Sequence, residues 1–423
     1  MKLAYALTAA VALVPVVASQ AAITVDGSVQ ANYADLTNPV TSPYTTTGPL
    51  NVGNTAAGSV TIDGGSTMTV ARGQAGIGGT ASINVSGVGS NFTSTSGTYY
   101  FGANSASLNL TDGAGANFNS FSAGYGGTSS VNVTNSTLTA SSFYASWGGT
   151  GTVNINAGGK LITSNFTSFS QGAGYTGTLN IAGTGATWQL NGGGAYAAVR
   201  LGYAGDGVIN VSNGGSIVAT STVAGANNIL FNTSSTGNGT LNLMSGGTID
   251  LGGTSNFTRG TGTGSATFNF TGGTLKNVAS FAIPVTQQGG TFTAGSSTSA
   301  IGTTALTAGY TLGSAGTLQV DLAGSGGVAG TDFDYYNVTG TASINGYVAL
   351  LTASGFTPTI GQTFNILTAS TIDITGATAG GWGLSVISGG NGQILQATYV
   401  PEPASLAIVG LGAVAALARR RSR

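Results

Sequence analysis

Between residues 58 and 271 the chain repeats one short arrangement of apolar and polar positions. Segments such as ASINVSGVGS, GTVNINAGG, GTLNIAGTG and GTLNLMSGG each set a polar residue between two aliphatic ones and follow it with a glycine-rich turn. The central position is Thr61, then Asn84, Asn109, Asn132, Asn154, Asn180, Asn210, Asn242 and Asn269. The intervals run from 22 to 32 residues, so the loops vary while the strand cores recur. Period-two alternation is the signature of a strand, and it turns the aliphatics inward and the asparagines outward.

Each unit holds two further extended pieces. The second follows the turn, as in Lys160-Leu161-Ile162 or Ser216-Ile217-Val218, and the third is exemplified by Tyr100-Phe101-Gly102, Arg200-Leu201-Gly202 and Ile229-Leu230-Phe231. Glycines supply the positive-φ corners between them. Three strands and three corners in about 26 residues predict one coil of a parallel β-helix. The expected fold is therefore all-β: a right-handed β-solenoid of about nine or more three-strand coils with a β-rich closing module. An antiparallel sandwich or barrel would favour two-residue hairpins at roughly 8–12-residue spacing and has no need of one tripeptide per three strands. On a β-helix the asparagines stack into an amide ladder. Some also fit the N-glycosylation acceptor pattern, as in Asn84-Val85-Ser86 and Asn109-Leu110-Thr111.

The expected organisation is a signal peptide (1–21), an irregular N-terminal cap (22–57, with Pro39, Pro43 and Pro49), repeats (58–300), a closing module (301–399) and a tail (400–423). Lys2, the apolar stretch 3–17 and the small-x-small site ending at Ala21 read as an export signal cut there. The tail combines Pro401-Glu402-Pro403, an apolar run over 404–418 and the cluster Arg419, Arg420, Arg421 and Arg423. At ~1.5 Å per residue that run falls short of a ~30 Å hydrocarbon core, so it suits transient anchoring in the inner membrane as a short transmembrane helix. Its arginines stay on the cytoplasmic side.

These three parts in this order resemble the PEP-CTERM sorting signal, a tail also named after the C-terminus of ice-binding proteins. The resemblance implies export by the secretion machinery and processing near Pro401–Pro403 by an exosortase, a membrane transpeptidase of Gram-negative bacteria. It places the body on the cell surface or in the extracellular matrix, next to exopolysaccharide or neighbouring cells. The repeats resemble the β-helix units of autotransporter passenger proteins. Residues 316–367 look like the module that closes them, with Asp334-Tyr335 at its turn and Gly361–Leu367 as its last strand.

Composition narrows the chemistry. The 423 residues include 73 glycines but no histidine and no cysteine. That removes His-dependent nucleophilic triads, disulfides and ordinary zinc sites, and no metal or cofactor site is expected. Residues 22–400 carry ten Asp against five bases, a net −5 with no basic stripe, so nucleic acid is not an expected partner. The best acid pair is Asp332 with Asp334, which at i, i+2 would share one side of a strand. A turn-forming role outweighs a catalytic one there. The reading is a non-enzymatic surface or matrix protein, with a polysaccharide lyase or hydrolase on the same scaffold as its alternative. Trp147, Trp188, Trp382, Tyr125, Tyr144 and Tyr175 are candidates for stacking on sugar rings, with core or corner packing as the competing role. The run Gly260–Gly264 lacks the strand–helix context of a phosphate loop. Thr67 and Thr69 hint at an ice-binding row that Lys160-Leu161 and Ser216-Ile217 interrupt.

Overall fold

One coil shows how the pattern becomes structure. Thr150–Ile155 lies on the first face, Lys160–Thr163 on the second and Thr167–Phe169 on the third. Val153, Ile155, Leu161 and Phe169 turn inward and are fully buried, whereas Thr152, Asn154 and Lys160 look outward. Gly158 makes the first corner at φ 66°. A Cβ on Gly159 would run into the Val133 carbonyl oxygen of the preceding coil, so glycine is required there for close approach.

Successive coils pair in parallel and in register, as Val131↔Val153↔Leu179 illustrates. This computed structural model describes residues 22–400 apart from 194–197, 233–235, 297–299 and 326. Within them the chain is a parallel β-helix of about twelve coils. In three consecutive coils the second and third strands merge into one bent strand: Asn91–Phe101, Gly115–Ser122 and Thr137–Tyr144. The interior is one hydrophobic cluster that runs the length of the stack. Aromatic rings form a file inside it from Phe92 through Phe101, Phe121, Phe143 and Phe169 to Trp188. A second file runs from Phe231 through Phe257, Phe281 and Phe292 to Tyr336.

Both ends are finished by antiparallel pairing. Ala22–Gly27 lies antiparallel to Gly58–Asp63, and Val29–Ala31 to Pro49–Val52, so the start is more regular than its prolines imply. At the other end the parallel stack continues well past residue 301, through Tyr335–Val338 to Thr363–Ala369. That last segment is not the final strand. Thr371–Asp373 follows it, and then the hairpin of Trp382–Gly389 and Gly392–Tyr399, which covers Thr363–Ala369 on its open edge. Antiparallel end strands cover the parallel edges that the first and last coils would otherwise leave open.

Candidate functional site

Three polar or aromatic constellations arise from this stacking. The first is the asparagine column. Asn109 donates its Nδ2–H to Oδ1 of Asn84, and Asn132, Asn154, Asn180, Asn210, Asn242 and Asn269 each donate in turn to the asparagine before, at 2.6–2.9 Å. Eight side chains thus form one directional amide ladder on the first face, and a glycan on any engaged Nδ2 would break its rung. Asn154→Ala removes two of these bonds and should lower stability by about 1–2 kcal/mol, read as a lower urea midpoint with an unchanged slope.

The second constellation is aromatic, and it sorts the six candidate rings. Trp188 is fully buried and donates its indole N–H to Thr163 Oγ1 at 3.1 Å. Trp382 packs on Phe364 and Tyr399 in the closing hairpin. Tyr125, Tyr144 and Trp147 instead come together on the outside of the third face, joined by Tyr100 and Phe166. Ring centroids lie 4.2 Å apart for Tyr100–Tyr125, 6.4 Å for Tyr100–Trp147, 4.5 Å for Tyr144–Trp147 and 5.4 Å for Tyr144–Phe166. The Arg200 guanidinium sits 4.7 Å from the Phe166 centroid. Burial raises the Tyr144 phenol pKa above its ordinary value, with Tyr100 adding to the rise and Arg200 opposing it. Tyr175 is half-exposed and takes part in none of these ring contacts.

The third is a pair of acids, and it is not the pair that spacing indicates. Asp332 and Asp334 do not share a strand. Asp332 lies in a turn, where its Oδ2 accepts the Val328 N–H at 2.9 Å. Asp334 is fully buried and meets Asp321, also fully buried, whose backbone N–H donates to Asp334 Oδ2 at 3.3 Å. Thr293 Oγ1 donates to both, at 3.3 Å to Asp321 and 3.1 Å to Asp334. Gly302 N–H reaches Asp334 Oδ1 at 2.7 Å, and Gln319 Nε2 holds Asp321 at 2.9 Å. Burial and the Asp321 charge push Asp334 up to about 7, against the pull of the Gly302 amide. Burial raises Asp321 as well.

The other candidates are structural. Gly260 and Gly262 donate their N–H groups to the Phe231 and Asn232 carbonyls of the preceding coil, so the glycine run is a corner. Thr67 and Thr69 stack on Asn91 and Thr93 and then Gly115 and Asn117, which ends the threonine row. Among the described residues no three His, Cys, Asp or Glu side chains gather as a metal site. No helix among them is long and apolar enough to cross a membrane. Ala21, Pro401, Glu402, Pro403 and the run 404–418 lie outside the described residues, as do Arg419, Arg420 and Arg421.

The described fold thus ends at its closing hairpin, one residue before Val400 opens the tail. No curated protein matches the chain. Residues 400–422 match the PEP-CTERM protein-sorting motif, which covers the proline pair, the apolar run and the arginine cluster together. The chain is a β-solenoid carrying a PEP-CTERM signal, and that signal marks it as an exported bacterial protein sorted to the cell surface by an exosortase.

Proposed function

We propose that the protein is a non-enzymatic scaffold of the cell surface or extracellular matrix in a Gram-negative-type bacterium, associated with exopolysaccharide and biofilm. The observation that carries this reading is the placement of the sorting motif directly after a solenoid closed at both ends. A rigid rod with its own caps needs no partner chain to fold, and a removable tail delivers it. The lyase or hydrolase alternative needs acids at an open groove. The one close acid pair among the described residues is sealed inside the stack, which favours the scaffold.

Processing follows from the tail. Pro401 and Pro403 restrict their neighbours to extended backbone, which suits the cleft of a transpeptidase. Protein recovered from the cell surface should end near residue 400 by mass spectrometry. Replacing Pro401-Glu402-Pro403 with alanines should hold the chain at the inner membrane. A strain lacking the protein should retain less exopolysaccharide and aggregate less. Intact Arg423 on surface material would overturn the processing step, and unchanged matrix retention in that strain would overturn the scaffold role.

A further inference from the structure

We propose that the outer surface of the third face is a binding strip for an acidic polysaccharide that runs along the solenoid axis. This deepens the scaffold reading and rests on it. Gln74, Tyr100, Ser122, Tyr144, Ser168 and Arg200 occupy one register column, each from the next coil. Five inter-coil steps at ~4.8 Å make the column about 24 Å long. Arg72 stands beside its lower end on the same strand as Gln74. There a groove of about 310 Å³ is lined by Tyr33, Asn51, Arg72, Gln74 and Tyr100. Trp147, 38% exposed, and Tyr125 lean over the column from its corners.

The chemistry of the strip commits to one occupant. Pyranose rings present C–H groups on their faces, and these pack on the electron-rich faces of Tyr and Trp. The Gln74 amide and the tyrosine hydroxyls exchange hydrogen bonds with sugar hydroxyls, while Ser122 and Ser168 of the same column are fully buried. Charge selects the class of sugar. All three arginines of residues 22–400, Arg72, Arg200 and Arg259, lie on third-face strands, and no strand of that face from Pro49–Val52 to Thr303–Leu306 contains an acid. Residues 22–400 carry a net −5, yet this one face is positive. Asp35, beyond the groove, is held by Gln30 at 3.0 Å, and Asp206, at a corner, is held by Asn238 at 2.9 Å. Among the described residues the one ion pair is Lys276–Asp250, on the second face. Guanidinium groups at both ends of an aromatic platform fit a chain that carries carboxylates at intervals.

The test is calorimetry of the purified protein with polygalacturonate as the acidic probe and dextran as the neutral one. Polygalacturonate should bind, more weakly as salt is raised, and dextran should not. Arg72→Ala with Arg200→Ala should weaken binding about tenfold and flatten the salt dependence. Trp147→Ala should weaken it about as much and leave the salt dependence intact. Lys160→Ala, on the second face, should change nothing. Urea midpoints equal to that of the parent show that the variants are folded. Absence of polygalacturonate binding, equal binding of dextran, an equal loss in Lys160→Ala, or equal capture by phosphatidylglycerol vesicles would each overturn the proposal. If polygalacturonate is ignored while the strain lacking the protein still loses matrix, this inference fails and the scaffold role stands.

Discussion

Ile181→Asp is expected to unfold the centre of the solenoid. Ile181 is fully buried and sits in register between Ile155 and Val211 of the adjoining coils. An unpaired carboxylate there costs several kcal/mol, because nothing in that aliphatic column can hydrogen-bond it. The damage spreads along the axis, because each coil buries its inner face only against its neighbours. The variant should lose its cooperative urea transition or be cut by proteases between residues 155 and 211. Ile181→Val, a single methylene smaller, should cost only about 0.5–1.5 kcal/mol. Asn180→Ser, one residue away but outward-facing, should remain folded and lose only its part of the amide ladder. A wild-type midpoint for Ile181→Asp would show that this column is not the core.

The inward–outward assignment at Ile181 was readable in the sequence because every repeat restates it. Val153, Ile155, Leu179 and Ile181 flank their asparagines in the same way, and a one-residue slip would expose every aliphatic at once. The ladder was readable for the same reason. The aromatic strip was harder to see. Tyr144 and Trp147 belong to one coil and Tyr100 and Tyr125 to others, so their meeting depends on loop lengths that the repeat leaves free. Local alternation does sort individual rings. Trp188 shares its parity with Leu190 and goes in, whereas Tyr144 and Arg200 follow or separate inward residues, Phe143 and Val199–Leu201, and go out. The buried acids had no such signal. Asp334 stands two residues from Asp332 and thirteen from Asp321, and a turn, not a strand, carries the chain between the first two. Sequence spacing named the wrong partner because it assumed extended backbone there.

That acid pair predicts an unusual response to pH: the protein should become less stable as the solution is made less acidic. Asp334 is pushed up to about 7 in the fold, against 3.8 when unfolded, chiefly by burial and secondarily by the Asp321 charge. Between those values the folded chain binds more protons than the unfolded one. The contribution is therefore complete below pH ~4 and is lost as pH rises through about 7. Full titration of one group by this amount is worth roughly 4 kcal/mol. The phenol facing the pair, Tyr336, is held neutral chiefly by burial, and Lys276 is occupied by Asp250. Asp373 shifts the opposite way, downward through its Thr375 hydrogen bonds, so its effect falls below pH ~4 and outside the window. With no histidine or cysteine in the chain, little else titrates between pH 5 and 7. The urea midpoint should accordingly fall from pH 5 to pH 7.5. Asp334→Asn should flatten that slope and raise the midpoint at pH 7.5, since its amide can donate to Asp321 as the protonated acid does and its oxygen still accepts the Gly302 N–H. Asp334→Ala should be less stable than the parent at pH 5, because it leaves the Gly302 amide without its acceptor. A midpoint that rises over the same range in the parent would mean that both carboxylates are ionised in the fold, and would reassign the pair. Thr293 ends Val285–Thr293, Gly302 precedes Thr303–Leu306, Asp321 lies in Tyr310–Leu322 and Asp334 precedes Tyr335–Val338, so ionising Asp334 should loosen the last coils first. Amide exchange at pH 8 should accelerate at Tyr336 and Val338 before it does at Ile155 or Ile181.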